Sequence, residues 1–228
     1  PVMTNETQTD AIADVLRKAL FIVSRVEQKE RQEKPQPPFT TSTLQQQSNI
    51  RLRFTTKRTM DAAQRLYQGV ELGSLGTTAL ITYMRTDSTR VSADALTAVR
   101  GYIPTAYGAA YLPKSANMYA SSKNAQEGHE AIRPTDVTMT PDRAKAAGLG
   151  GDQFKLYELI WRRFVASQCT PALMAVTTVE VTAGQGLFRA NGRIMKFDGH
   201  RRVLNPIGKG EDVTLPDVKE RDALNRLD

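Results

Sequence analysis

Two side chains near the middle of the chain have the types and spacing needed to act on a phosphate group. Tyr83 and Arg85 follow a short apolar run, residues 79–81, and Thr82 and Tyr83 favour extended backbone. If a strand continues through Arg85, the phenol and the guanidinium lie on one face, because side chains alternate along a strand. A phenol can attack phosphorus covalently, and a guanidinium can neutralise the oxygens that gain charge. Taken alone, the pair fits more simply a core tyrosine beside a solvated arginine.

A second polar cluster lies downstream, at residues 121–136, and it includes His129, one of two histidines in the chain. No apolar period explains this cluster, and a chain seldom gathers so many charged groups in one loop for packing reasons. It therefore indicates a functional loop. The alternative is an ordinary solvated surface loop.

Three stretches together identify a family resemblance. They are Tyr-Met-Arg-Thr-Asp-Ser at 83–88, Glu-Gly-His-Glu-Ala-Ile-Arg-Pro at 127–134, and Pro-Phe-Thr-Thr-Ser-Thr-Leu-Gln-Gln at 38–46. They resemble three motifs of the bacterial type IA DNA topoisomerases, and they occur in that family's order. The resemblance extends over essentially the whole chain, although its ends are less distinctive. Three ordered motifs are far more specific than one.

The resemblance implies an ATP-independent isomerase that relaxes negatively supercoiled DNA by cutting one strand transiently. Tyr83 would form a 5′-phosphotyrosine link, the other strand would pass through the gap, and the 3′-hydroxyl would reverse the attack. Arg85 would stabilise charge, and His129 would bind the scissile phosphate or help to move a proton. Because a free phenol ionises only near pH 10, such a tyrosine needs a cation or base nearby. Glu127, Glu130 and Arg133 are assigned to local architecture first and DNA contact second.

The resemblance also implies parts that this chain lacks. The family's Mg²⁺ is held by an acidic domain with closely spaced aspartates, and no Asp-x-Asp occurs here. We therefore expect a piece of a longer protein whose metal site lies outside this chain, with no metal or cofactor bound here. The expected partners are DNA, single-stranded at the cleavage site, and the remaining domains of the same polypeptide. The expected location is the cytoplasm, at the bacterial nucleoid, and the isolated fragment is expected to be inactive.

Composition sets broader limits. The 228 residues can bury a core, and the formal net charge of +7 favours an anionic partner. A single cysteine, Cys169, excludes an internal disulfide and a zinc site built from clustered thiolates. No apolar run approaches the length of about 18 residues that a membrane helix needs, so no membrane partner is expected.

Four cations form the best candidate surface for tracking a DNA backbone. Arg51, Arg53, Lys57 and Arg58 lie between residues 42 and 60, where the sequence has no acid. The same region predicts two helices joined by a short turn, an arrangement that resembles a helix-turn-helix. Arg133 is added to these four as a DNA-binding candidate. A solvated helix surface explains the charges of the run about as well.

The remaining patterns predict an α+β fold in which both chain ends form an arched, β-rich domain, interrupted by a mostly helical domain. The expected boundaries are 1–45 and 168–228 for the β-rich domain, and 46–167 for the helical domain that carries Tyr83. Residues 29–38 are charged and proline-rich, which indicates a linker or a domain boundary. Asn191-Gly192 indicates a hairpin turn. Helices are predicted over 5–20, from a cap at Ser42 to 52, from 55 to Gly69, from Ser92 to Pro104, from Pro141 onwards, and from a cap at Asp152 onwards. Strands are predicted over 21–26, 79–85, 174–182, 187–190, 193–197 and 213–215.

Three functions compete at this stage. The leading one is a fragment of a type IA topoisomerase, carrying the gate and nucleophile domains. The second is a non-catalytic nucleic-acid-binding module built on the two helices and their cations. The third is a purely structural hinge piece. Tyr83, Arg85 and His129 separate the first from the second, because a binding module needs cations but no such trio.

Overall fold

The computed structural model describes residues 5–120, 129–204 and 213–225. The described residues form two compact units: one from 5–33, 173–197 and 213–225, and one from 34–120, 129–172 and 198–204. The helices are α1 (Glu6–Lys18), α2 (Thr41–Leu52), α3 (Thr56–Gln68), α4 (Ala93–Tyr107), α5 (Pro141–Ala146), α6 (Gly151–Ser167) and α7 (Arg201–Leu204). The strands are β1 (Phe21–Glu33), β2 (Val70–Glu71), β3 (Thr77–Thr78), β4 (Ala172–Ala183), β5 (Gly186–Phe197) and β6 (Ala223–Leu224). Helix and sheet are thus mixed, as the sequence predicts; the arched form of the β-rich part stays a prediction.

The first unit is built on a four-stranded sheet with the order β5-β4-β1-β6. Strands from both ends of the chain therefore belong to one sheet, and Val23, Val179 and Val181 form its small buried core. The two units divide after residue 33, within the expected linker or domain boundary at 29–38, although β1 continues to Glu33 and leaves no linker before that residue. The expected strand at 213–215 is reduced to a single bridge between Val213 and Arg193.

The hairpin in this unit does not turn at Asn191-Gly192. Asn191 and Gly192 lie inside β5, opposite Thr178 and Thr177, and the turn comes after Ala183, which pairs with Gly186. A Cβ atom at residue 192 would lie only 2.9 Å from both Leu215 Cγ and Val213 O. This glycine therefore serves the close approach of a neighbouring segment, and the same residue type misled the sequence prediction.

The second unit packs around α6, whose apolar side chains follow helical spacing. Leu156, Tyr157, Ile160, Trp161 and Phe164 are all buried in its core. The polar ends of the two large aromatic groups have partners, since Trp161 Nε1 donates to Val137 O at 2.9 Å and Tyr157 Oη donates to Met139 O at 2.5 Å. Trp161 therefore belongs to the core of this unit.

This helical unit begins earlier in the chain than the sequence indicates. Phe39 and Leu44 are buried in its core, although the expected boundary assigns them to the β-rich domain. The unit also contains Cys169 and the segment 198–207. The difference arises because the stretch around Phe39 has few apolar residues, so its burial cannot be recognised from local composition.

Several helix ends differ from the predicted ones for local reasons. Helix α2 is capped by Thr40, whose side chain and that of Thr43 form a reciprocal capping box, so the expected Ser42 cap is wrong. Helix α6 is capped by Gly150, which leaves Asp152 in the first turn. Helix α4 continues past Pro104 to Tyr107. The ring of Tyr102 contacts the rings of both Tyr107 and Trp161, and these aromatic contacts hold the last turn beyond the proline.

Candidate active site

The segment 79–90, which carries the candidate nucleophile, does not form the predicted strand, and its backbone bends at Thr82 and Met84. Only a single bridge, between Ile81 and Pro134, is strand-like within this fully described segment. Its side chains nevertheless alternate: Tyr83, Arg85 and Asp87 are exposed, whereas Met84, Thr86 and Ser88 are buried. Tyr83 is 46% exposed. Tyr83 and Arg85 are thus both open to solvent, and their convergence on one phosphate stays a prediction.

One edge of this segment is bonded to the second motif. Thr82 N–H donates to Arg133 O at 2.9 Å, and the Thr82 hydroxyl donates to Ala131 O at 2.7 Å. The same hydroxyl accepts from Arg133 N–H at 3.0 Å. Farther along, Ala131 N–H donates to Arg90 O at 2.8 Å. Segments 79–90 and 129–136 therefore lie side by side.

The opposite edge is bonded to the third motif through Thr41. Its N–H donates to Thr86 O at 2.9 Å, and its hydroxyl donates to Met84 O at 2.8 Å. The second and third motifs also contact each other, because Ile132 N–H donates to Phe39 O at 2.8 Å. The three motifs that are far apart in sequence thus form one hydrogen-bonded assembly around residue 83.

The segment also fixes itself beyond Arg85. Thr86 Oγ1 accepts from Ser88 N–H at 3.0 Å, and Ser88 Oγ accepts from Arg90 N–H at 3.1 Å. Short side-chain-to-backbone bonds of this kind satisfy buried main-chain groups without a helix or a ladder. They explain why a segment rich in Thr and Ser can be ordered without being a strand.

His129 lies two residues before Ala131, at the start of the segment that contacts Thr82. Its side chain is half-buried. The backbone bonds described above bring this part of the chain beside the tyrosine segment. The convergence of the imidazole with Tyr83 and Arg85 remains a prediction. Glu127, the first residue of the motif, lies outside the described residues.

Arg133 is engaged in the architecture of the site. Its guanidinium binds Glu130 Oε2 through Nε and Nη2, at 2.9 and 2.6 Å. It also donates to Pro134 O at 3.0 Å and to Ser92 Oγ at 3.3 Å. The side chains of Arg133 and Glu130 are only 14% and 22% exposed. Of the two roles open to Arg133, this geometry favours the architectural one over the DNA contact.

A second tyrosine, Tyr67, contacts the candidate nucleophile. The rings of Tyr67, at the end of α3, and Tyr83 are 5.2 Å apart between centroids, at 64°. This edge-to-face arrangement is a favourable one for aromatic pairs. The available signal was weak: a tyrosine on a helix that ends shortly before the motif.

The four candidate DNA-binding cations differ in their surroundings. Arg51 Nε donates to Gln47 Oε1 at 3.1 Å, and Arg53 ends α2 with a left-handed φ of 58°. Lys57 pairs with Asp61 at 2.9 Å on the surface. Arg58 makes a two-pronged contact with Asp152, at 2.6 and 2.7 Å, and lies over the Phe54 ring. The hydrogen bond from Arg58 holds the pKa of the Asp152 carboxyl below its ordinary value.

Folding thus brings Asp152 to a run that has no acid between residues 42 and 60. A cleft of about 530 Å³ between α3 and α6 has both signs of charge among its lining residues, which include Thr55, Lys57, Arg58, Asp61, Arg65 and Asp152. A cation run defined by sequence alone therefore overstates the positive charge of this surface. Its contact with DNA stays a prediction.

Among the described residues, no three His, Cys, Asp or Glu side chains are placed to hold a metal ion together. Within the same ranges, no helix combines the length and the apolar character needed to cross a membrane.

Comparisons with known proteins agree on one family. A family model described as DNA topoisomerase matches residues 2–227. DNA topoisomerase 1 of Vibrio cholerae is 50% identical over 220 residues, which cover 96% of this chain and 24% of that protein. DNA topoisomerase 1 of Escherichia coli K12 is 48% identical over 225 residues, covering 98% of this chain and 25% of that protein.

A solved structure has the same fold. Full-length topoisomerase I from Thermotoga maritima matches with a TM-score of 0.82 at 34% identity, covering 98% of this chain and 35% of that one. This chain spans about a quarter of the length of the curated relatives named above.

Proposed function

We propose that this chain, which belongs to the bacterial type IA DNA topoisomerase family, supplies the nucleophile side of a strand-cleaving active site. The observation that carries the proposal is the exposure of Tyr83 and Arg85 on a segment whose two edges are hydrogen-bonded to the other motifs. A tyrosine packed in a core beside an unrelated arginine would not need hydrogen bonds from two distant motifs to hold its segment. The substrate is DNA, single-stranded at the point of cleavage.

In the proposed reaction, the Tyr83 oxygen attacks the phosphorus of a DNA phosphodiester. A phosphorus–tyrosine bond forms, and the bond from phosphorus to the 3′-oxygen breaks. The phenol loses its proton, and the departing oxygen gains one to become a 3′-hydroxyl. Because one phosphodiester replaces another, the later attack of that hydroxyl can restore the strand without ATP. The complementary strand passes through the gap between the two steps, which relaxes negative supercoils.

Arg85 and His129 have supporting roles in this proposal. The exposed guanidinium of Arg85 neutralises the phosphoryl oxygens as they gain charge, which is the kind of electrostatic stabilisation that lowers such barriers most. His129 binds the scissile phosphate or moves the proton. The Mg²⁺ expected from the family does not fit the described residues of this chain, because they offer no group of three suitable ligands. No step is therefore routed through a metal, and its site is proposed for another part of the full-length protein.

The decisive experiment uses full-length protein that carries Tyr83→Phe, with Tyr67→Phe as the matched control. Each change removes one phenol oxygen, and the two rings are neighbours. Tyr83→Phe should abolish covalent DNA–protein adducts while DNA binding stays within about twofold, a difference of roughly 0.4 kcal/mol. Tyr67→Phe should leave adduct formation intact. Adducts that persist in Tyr83→Phe at the wild-type level would refute the assignment.

The isolated 228-residue chain gives a second test. It should bind single-stranded DNA weakly, with an affinity that falls steeply with salt, because each neutralised phosphate releases counterions. It should not relax supercoiled DNA, since holding the attacked phosphate in line can contribute roughly 7–11 kcal/mol in well-oriented cases and needs the missing domains. Salt-dependent binding without any adduct in the full-length protein would instead support a non-catalytic binding module.

A further inference from the structure

The backbone around Arg85 is held by one side chain from a distant part of the sequence. The Thr41 hydroxyl accepts from Thr86 N–H at 2.8 Å and donates to Met84 O at 2.8 Å, with Thr86 O as an alternative acceptor at 3.1 Å. Met84 O belongs to the peptide group before Arg85, and Thr86 N–H belongs to the peptide group after it. A single hydroxyl therefore bonds both peptide groups that flank the α-carbon of Arg85.

Thr41 is itself firmly placed. It is the first residue of α2, directly after the Thr40 cap and its reciprocal bond with Thr43. Leu44, one turn along, is fully buried in the core of the same unit. The main-chain N–H of Thr41 adds a further bond, to Thr86 O at 2.9 Å. The hydroxyl thus transmits the position of a core-anchored helix to a segment that has no regular structure of its own.

The position of the bonds matters because two exposed groups depend on them. Two torsion angles set the direction in which Arg85 leaves the backbone, and the peptide groups on both sides define those angles. Tyr83 is held at its other side by Thr82, which is bonded to residues 131 and 133. Without the Thr41 hydroxyl, Met84 O and Thr86 N–H would lose a partner in a buried stretch, where unpaired polar groups are costly.

We propose that Thr41 is a positioning residue for strand cleavage: its hydroxyl fixes the direction of Arg85, and with it the alignment of Arg85 and Tyr83 on the same phosphate. The inference rests on the proposed function, since it concerns the rate of that reaction. Misplacement of a reacting group by about 1 Å can cost around 100-fold in rate.

The test compares Thr41→Val, which keeps the shape but removes the hydroxyl, with Thr41→Ser, which keeps the hydroxyl, both in the full-length protein. Single-turnover cleavage of a single-stranded oligonucleotide gives the rate of adduct formation, and a titration gives the affinity. Thr41→Val should cleave about 10- to 100-fold more slowly with affinity changed less than about threefold, as expected for lost positioning. Thr41→Ser should cleave within about threefold of wild type, since its hydroxyl can make the same bonds.

Thr40→Val is the matched control. It removes a hydroxyl one residue away, which caps α2 and bonds Ser42 and Thr43 within that helix rather than segment 79–90. A purely structural role for Thr41 predicts that both valine variants lose stability and cleavage together. The positioning role predicts slow cleavage in Thr41→Val alone, measured at a temperature where both variants are folded.

Thr41→Cys keeps the test informative if Thr41→Val does not fold, because its thiol is a weaker donor of similar size. Thr41→Cys should cleave more slowly than the wild type and Thr41→Ser, but it should not lose cleavage completely. Wild-type cleavage rates in Thr41→Val or Thr41→Cys would overturn the inference. Tyr83→Phe, measured in parallel, separates the two proposals. Adducts in that variant would refute the assignment of Tyr83 as the nucleophile. Any effect of the Thr41 variants on the cleavage rate would then not be explained by the alignment of Tyr83.

Discussion

Replacing Arg133 with alanine should lower the free energy of unfolding of the helical unit by about 2–3 kcal/mol. The change removes both bonds to Glu130 and those to Pro134 O and Ser92 Oγ. Breaking a fully buried ion pair costs about 3–5 kcal/mol, whereas an exposed pair is worth about 0–1 kcal/mol. At 14% and 22% exposure the pair lies nearer the buried case. The magnitude therefore falls between these limits.

The assay is urea unfolding followed by tryptophan fluorescence. Trp161 is the single tryptophan of the chain, and its ring nitrogen bonds Val137 O in the same unit, four residues beyond Arg133. The signal therefore reports on the unit that contains the ion pair. A shift of the midpoint without a change of slope would identify a loss of stability.

Lys57→Ala serves as the control, because its pair with Asp61 is 88% and 59% exposed and its loss should cost less than about 1 kcal/mol. The architectural reasoning would be refuted by an Arg133→Ala variant that unfolds like wild type but shows a DNA-binding salt dependence weaker by about one unit of slope. That result would make Arg133 a phosphate contact.

Three further predictions concern other parts of the chain. Tyr67→Ala in the full-length protein should slow adduct formation several-fold, whereas Tyr67→Phe should not, because the ring rather than the hydroxyl contacts Tyr83; equal rates in both variants would remove this role. Burial raises the pKa of the Cys169 thiol from 9.0 to about 12. The folded thiol should therefore resist iodoacetamide at pH 9, and rapid labelling of the folded chain would contradict this. The thiol's contribution to the free energy of unfolding should be full below about pH 9. It should fall as the pH rises towards 12, because the thiol of the unfolded chain loses its proton first. Gly192→Ala should destabilise the sheet unit by about 1–3 kcal/mol, since the new Cβ would lie 2.9 Å from Leu215 Cγ; circular dichroism during thermal unfolding would detect the loss, and an unchanged melting curve would show that the neighbouring segment moves away freely.

Elements with strong local signals were predictable from the sequence. Helix α3 begins after the Thr55 cap and ends at Gly69, which has a φ of 117° that a glycine accepts readily. Helix α5 begins at Pro141, as predicted, and the apolar spacing of α6 predicts its buried face correctly. In each case the information lies within a few residues, so no knowledge of distant partners is needed.

Elements whose structure depends on distant residues were predicted less well. Asn191-Gly192 has the composition of a turn, but the approach of residues 213–215 explains the glycine and keeps both residues within β5. Arg58 belongs to a run without acids in sequence, yet its partner Asp152 is 94 residues away. Local composition cannot reveal either partner.

The sequence by itself determined the family to which the motifs belong, and it predicted Tyr83, Arg85 and His129 as the groups that carry the chemistry. Only the tertiary structure decided what holds them. The hydroxyl of Thr41 reaches Met84 and Thr86, 43 and 45 residues away, and Thr82 reaches residue 131, 49 residues away. Such bonds form between groups that the fold brings within about 3 Å, and the sequence carries no local sign of them, because any threonine can donate and accept a hydrogen bond.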